Sequence, residues 1–240
     1  MITLPTKIGP PTITSPRTLI LYGQHKIGKT TEVAKLPKSL IVSLDPAGAE
    51  HLSCCRIQLS NILELREVVG QLKTTTDYDY IIYDSISKMQ EWCEIYATAR
   101  YKAFSSKFTG ESVAELPEGY GYQWIRQDFT KLFDALCEQK KAKLIFIGHL
   151  KLKHQTIDGE QIKVDKKNIG LPAEIEGAEL ALTGQLRAFA ARHVDTLGLM
   201  YRKDEKLRVR FNPSSDGGSR FEYLAGKDIE FNWETIFPKV

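Results

Sequence analysis

Leu19-Ile20-Leu21-Tyr22-Gly23-Gln24-His25-Lys26-Ile27-Gly28-Lys29-Thr30-Thr31 is the stretch that decides the fold. Four apolar residues in a row suit a strand covered on both faces, as in a parallel sheet. The run stops at Gly23, and Gly28-Lys29-Thr30 opens a helical pattern that reaches Leu36 before Pro37. Two glycines around four variable residues, then Lys and Thr, are the parts of a phosphate-binding loop. The glycines allow the backbone to curl its N–H groups and the helix N-terminus toward an anion. Lys29 supplies a cation and Thr30 a hydroxyl for a magnesium ion. Residues 23–31 are therefore the expected cofactor-binding set, with ATP and magnesium as the expected ligands.

Working outward, Leu40 to Leu44 reads as a second buried strand ending at Asp45. Tyr80-Ile81-Ile82-Tyr83 reads as another, ending at Asp84, and Lys143 to Gly148 as a fourth, ending at His149. Between them, Asn61–Lys73, Ser87–Phe104 and Tyr122–Gln139 carry apolar residues at helical spacing, with a polar stretch from 105 to 120. Strand and helix alternate. The expected fold class is thus α/β, a mostly parallel twisted sheet with helices on both faces. Thr196–Arg202 and Leu207–Phe211 add an antiparallel hairpin at the C-terminal edge, and Ala173–Arg192 reads as largely helical. Residues 212–240 read as loops and short pieces, and 1–17 as an N-terminal extension.

Ligands of such sheets lie at the carboxyl ends of the strands, which is where the polar candidates fall. Asp84 is the expected magnesium carboxylate, partnering Thr30; its bland alternative is a helix cap. Asp45 and Glu50 are alternative carboxylates to orient an attacking water, and either is compatible with a structural role. His149 is placed to contact the terminal phosphate and report its loss, or else to cap. Lys29, Asp45, Glu50, Asp84 and His149 form the candidate catalytic set. Tyr120, Tyr122 and Trp124 suit either base stacking or core packing.

The chain has 240 residues, 42% hydrophobic and 26% charged, with no long linker or repeat, so a single domain over 1–240 is expected. Net charge is +3, too small to announce a nucleic-acid binder by itself. Its distribution is uneven, because residues 139–170 hold eight lysines against three acids. Within them 150–168 reads as a basic hairpin around Asp158-Gly159. Lys151, Lys153, Lys163, Lys166 and Lys167 are its candidate contacts to DNA phosphates, the alternative being a solvated edge strand. Four cysteines lack zinc spacing and disulfide density. Nowhere do about 18 apolar residues run together, and no signal-peptide core opens the chain; a cytoplasmic location without membrane contact is expected.

The phosphate loop, Ile81-Ile82-Tyr83-Asp84-Ser85 and Ile145-Phe146-Ile147-Gly148-His149-Leu150-Lys151 together resemble the RecA-like ATPase core. More narrowly, the loop and Gly121-Tyr122-Gln123-Trp124 before a long helix are similar to phage-encoded, RecA-related proteins of single-strand annealing and recombination, the Sak group. The resemblance implies an ATP-hydrolysing protein that binds single-stranded DNA, forms head-to-tail homo-oligomers, and works beside a single-strand-binding protein in a host-cell cytoplasm. One departure is Asp45-Pro46-Ala47, where RecA-type proteins carry an Asp-x-Glu arrangement; it implies weak or partner-dependent hydrolysis. A nucleotide-regulated interaction protein, such as a loader or packaging accessory without DNA affinity, is the rival reading. A small-molecule kinase using Arg208, Arg210 and Arg220 in a lid is a third.

Overall fold

The computed structural model describes residues 13–46, 49–74, 77–139, 141–152, 155–157, 160–162, 178–211 and 218–238. The apolar run after Pro16 forms β1 (Thr18–Gly23), every residue of it buried. It leads through the glycine loop into the short helix α1 (Lys29–Val33) and then β2 (Ser39–Ser43), also wholly buried. An edge strand β3 (Cys55–Gln58) follows. Next come α2 (Ile62–Leu72), β4 (Tyr80–Asp84), α3 (Ile86–Phe104), α4 (Tyr120–Cys137) and β5 (Lys143–Leu152). Beyond β5 lie β6 (Gln155–Ile157), β7 (Glu160–Ile162), β8 (Ala178–Leu180) and α5 (Gly184–His193). The chain closes with β9 (Thr196–Lys203), β10 (Lys206–Arg210), β11 (Asp228–Glu230) and α6 (Trp233–Ile236).

The main sheet runs β11-β10-β9-β1-β5-β4-β2-β3, with β8 attached to β5. From β9 to β3 all neighbours are parallel; β10, β11 and β8 pair antiparallel. This is the α/β architecture expected, a mostly parallel sheet with antiparallel C-terminal strands. Its important feature is the insertion of β5 between β1 and β4, in register Gly23↔His149 and Asp84↔Ile147. The loop after β1, the carboxylate ending β4 and His149 of β5 are thereby delivered to one end of the sheet.

Helix positions follow from side-chain chemistry. Asn61 caps α2, its side chain accepting from Leu63 and Glu64 N–H, and Ile62, Leu65, Val69 and Leu72 form the buried stripe. Ser85 caps α3 by accepting from Lys88 N–H. In α4, Ile125, Phe129, Leu132, Phe133 and Leu136 are buried. Phe133 stacks on Phe146 of β5 at 4.8 Å, and Phe146 on Tyr83 of β4 at 5.4 Å, so aromatic rings join helix to sheet.

One strand was not foreseen, and three sequence expectations need correction. β3 had no apolar signal, since all four of its residues are exposed at the sheet edge. β5 does not end at His149 but continues to Leu152, because β8 pairs antiparallel with Leu150–Leu152. The basic hairpin is shorter than 150–168: its described strands are β6 and β7, and residues 150–152 belong to β5 instead. Finally, 173–192 is not one helix; within its described part, the buried strand β8 precedes α5 and Gly184 adopts φ +46°. The C-terminal stretch is held in place as well. β11 joins the sheet, and Trp233 Nε1 donates to Glu32 O of α1 at 2.9 Å. Among the described residues no helix is long and apolar enough to cross a membrane.

Candidate functional site

The loop's shape is fixed by its neighbours. A Cβ on Gly23 would meet the carbonyl oxygen of Met200 at 2.3 Å, because β9 passes that close to β1. Gly28 sits at φ +110°, a conformation costly for any L side chain, and its αL geometry starts α1. Lys26 also adopts a left-handed φ, +63°, one of the strained conformations that concentrate at ligand-binding turns. Ile27 is buried and anchors the loop, while His25, Lys26 and Thr31 are exposed and Gln24, Gly28 and Thr30 half-buried.

Lys29 is only 5% exposed. Its ammonium donates to Gly23 O at 2.9 Å and Gln24 O at 2.6 Å, which keeps it inside the loop's curl. Burial pushes it down to about 8, with Asp84 acting in the opposite direction. Thr30 Oγ1 donates to Asp84 Oδ2 at 2.7 Å. Burial raises the Asp84 carboxyl, and the Thr30 hydrogen bond and Lys29 oppose that rise.

Asp45 lies just past β2, its N–H donating to Asp84 O at 3.3 Å. Its Oδ2 accepts from Ser85 Oγ at 2.6 Å and stands 3.6 Å from His149 Nε2. Burial pushes the Asp45 carboxyl up; the adjacent His149, the Ser85 hydrogen bond and the charge of Lys88 outweigh it, and the net shift is downward. His149 stacks on His25 of the loop, ring centroids 4.1 Å apart. Burial lowers His25, and His149 and Lys29 add to the effect. A chain of contacts therefore runs Thr30–Asp84 and His25–His149–Asp45–Ser85 across the ends of four strands.

Of the sequence candidates, Lys29, Thr30, Asp45, Asp84 and His149 come together here. Glu50 does not: it is exposed in a turn and makes no hydrogen bond or ion pair among the described residues. Lys151 is exposed on β5 opposite Glu179 of β8, whereas Lys153, Lys163, Lys166 and Lys167 lie outside the described residues. Trp124 packs edge-on against Tyr101 of α3 at 5.3 Å, while Tyr120 and Tyr122 remain more than half exposed. Arg208 and Arg220 pair with Asp228 and Asp195, so they brace the C-terminal edge instead of forming a lid.

Two residues were missed. Ser85 was readable only as the residue after Asp84; its bond to Asp45 depends on β2 and β4 being neighbours. Arg202 follows the part of β9 that flanks β1, and its Nη2 is the nearest heavy atom, at 4.0 Å, to a Cβ placed on Gly28. Nothing in the sequence places it there.

A nucleoside triphosphate with magnesium fits this donor set. The ammonium and exposed loop offer cationic and N–H groups to phosphates, and a hydroxyl within 2.7 Å of a carboxylate offers the hard oxygens that magnesium takes. The sequence profile of a family described as an AAA domain matches residues 15–221. The chain belongs to this AAA-domain family. Curated proteins give no match. Among solved structures, this AAA-domain protein is similar to the crystal structure of the RadB recombinase at 17% identity. The TM-score is 0.42, over 93% of this chain and 90% of that one.

Proposed function

We propose that this AAA-domain protein is a magnesium-dependent ATPase acting on single-stranded DNA in phage-type recombination or annealing, as a homo-oligomer. One observation carries the link between nucleotide and DNA. β5 continues without interruption from His149, beside Asp45 and the loop, through the exposed Lys151 toward the lysine-rich segment. A change at the phosphate end of the site is thus connected to the basic segment by one strand.

Bound nucleotide and magnesium supply the scissile phosphoanhydride and an electrophilic cation. Lys29 would exchange its carbonyl partners for phosphate oxygens, and Thr30 and Asp84 would hold the metal. Asp45, kept ionised by its Ser85 hydrogen bond and the nearby His149, is the residue suited to orient a water and accept its proton at Oδ1 or Oδ2. His149 senses the result through Asp45 and His25. The lysines of 139–170 supply phosphate contacts, which position a strand without reading its sequence.

The test is fluorescence anisotropy of a labelled single-stranded DNA without nucleotide, with ADP, and with a non-hydrolysable ATP analogue, across a salt series. The expected result is an affinity that depends on nucleotide and falls with salt, at a log–log slope of about −0.7 per phosphate neutralised. DNA must then alter nucleotide affinity by the same factor. Salt-insensitive binding, or none in any nucleotide state, overturns this reading in favour of a nucleotide-regulated loader or packaging accessory.

A further inference from the structure

On the helical layer, α2, α3 and α4 line an open cavity of about 490 Å³ that shares no residue with the phosphate loop. Its wall carries Arg66 of α2 and Lys73 just past its end, Tyr96 and Arg100 of α3, and Asp128 and Lys131 of α4. Four cations against one carboxylate leave the wall strongly positive. Lys73 meets Glu138 at 2.8 Å; Lys131 is exposed and makes no hydrogen bond or ion pair among the described residues.

The centre of the wall is Asp128, 2% exposed. Its Oδ1 accepts from Arg100 Nη1 at 2.7 Å and stands 3.8 Å from Arg66 Nη2. Both arginines therefore crowd one oxygen, and Oδ2 is buried with no hydrogen-bond partner. An orphaned buried carboxylate oxygen is expensive, and native proteins fill such positions with a donor. The guanidiniums are held in place by a shared ring: Arg66 lies 4.3 Å and Arg100 5.9 Å from the centroid of Tyr96.

Joining three helices would need one arginine on Asp128, not two with lysines around them. Gly70 points the same way. It lines the cavity in α2, where glycine is a poorer helix former than alanine. Yet a Cβ there would meet nothing within 4 Å. No packing requires that glycine, and it leaves the cavity open.

We propose that this cavity is a binding site for a phosphate ester with a neighbouring hydroxyl or amino donor, the phosphate held by Arg66, Arg100 and Lys131 and the donor by Asp128 Oδ2. Arginine forks match phosphate oxygens, and the volume lies in the range of small-ligand pockets. A free nucleotide and one unit of a nucleic-acid strand share this chemistry. The inference does not depend on what the phosphate loop does.

The test titrates inorganic phosphate, deoxythymidine monophosphate and a short oligothymidylate into the full chain and into Lys29→Ala, which disables the loop, by calorimetry. The monophosphate is expected to bind both proteins equally, and inorganic phosphate about tenfold more weakly, since it lacks the sugar's hydroxyl donor. Lys131→Ala and Gly70→Leu, the second keeping every charge while filling the mouth, should each weaken the monophosphate by about tenfold or more. Asp128→Asn should reduce the preference for the monophosphate over phosphate toward unity. Oligothymidylate binding more tightly than the monophosphate, and lost with Gly70→Leu, assigns the site to a nucleic-acid strand; the reverse order assigns it to free nucleotide. The proposal fails if no probe binds at millimolar concentration, or if Gly70→Leu and Lys131→Ala bind all three as the parent does. A monophosphate signal that disappears in Lys29→Ala belongs to the loop and also overturns it.

Discussion

The phosphate loop and the helix-lined cavity both gather cations, but by different means. At the loop, one buried ammonium is fixed by main-chain carbonyls inside a run of eight consecutive residues from Gly23 to Thr30. At the cavity, two guanidiniums are fixed by a carboxylate and a ring contributed by three separate helices. A site made of backbone must be contiguous and carry glycine where φ turns positive, so it leaves a motif. A site made of side chains needs only the right helix faces to meet. The loop should therefore tolerate change around it and fail at single positions, and the cavity should degrade residue by residue.

The largest expected effect is Lys29→Ala, which should weaken Mg-ATP binding by at least about a hundredfold, or ~3 kcal/mol, in calorimetry. Thermal melting should show no loss of stability, because a buried ammonium with a depressed pKa opposes folding near neutral pH. Next, Asp84→Asn keeps an acceptor for Thr30 Oγ1 but removes a metal-binding charge, and should cut magnesium-dependent turnover roughly a hundredfold. Turnover at the parent rate would make Asp84 a structural residue. Asp45→Asn should slow turnover by about ten- to thirtyfold, and Glu50→Gln by less than about twofold. The reverse order would transfer the water-orienting role to Glu50 and mean that the loop's surroundings rearrange on binding.

The loop also predicts a pH dependence that the cavity's arginines cannot show. Phosphate favours the charged form of Lys29, so binding should take up a proton once pH exceeds about 8. Affinity should fall about tenfold between pH 7 and pH 9. The sign for the free protein is opposite. Its lysine binds protons less tightly when folded, so the unfolded chain holds more protons between about 8 and the ordinary lysine value, and this contribution to stability rises with pH there. Calorimetry in buffers of different ionisation enthalpy separates proton uptake from other heats.

Legibility in the sequence follows the same division. The βαβ opening, the strand ending at Asp84 and the helices α2 to α4 were readable because buried parallel strands are continuous apolar runs and helices repeat their apolar residues. β3 was not, being exposed throughout. The end of β5 was misread because its last residues are stabilised by β8, some thirty residues later, and local pattern carries no record of that pairing. In the site, Asp84 was marked by its position after a buried run, and Asp45 could be proposed only beside Glu50. The choice between them depends on Ser85 and His149 reaching Asp45, which strand order alone arranges. Arg202 and Asp128 belong to the same class: their partners are set by tertiary contact, not by spacing.

The smallest effect concerns Ser85, which serves both kinds of construction. Its hydroxyl accepts from Lys88 N–H as the cap of α3 and donates to Asp45 Oδ2 at 2.6 Å. Ser85→Ala should lose the cap, worth about 1 kcal/mol in denaturant unfolding. It should also remove the Ser85 hydrogen bond that helps His149 hold Asp45 down, raising that carboxyl and shifting the acidic limb of turnover to higher pH. At pH 8 the carboxylate remains ionised and still faces His149, so turnover there should fall only about two- to fivefold. A change in stability with an unmoved acidic limb would show that Asp45 is set by His149 alone. An unchanged stability with a moved limb would show the reverse, that Ser85 acts on the site through Asp45 and contributes little to α3.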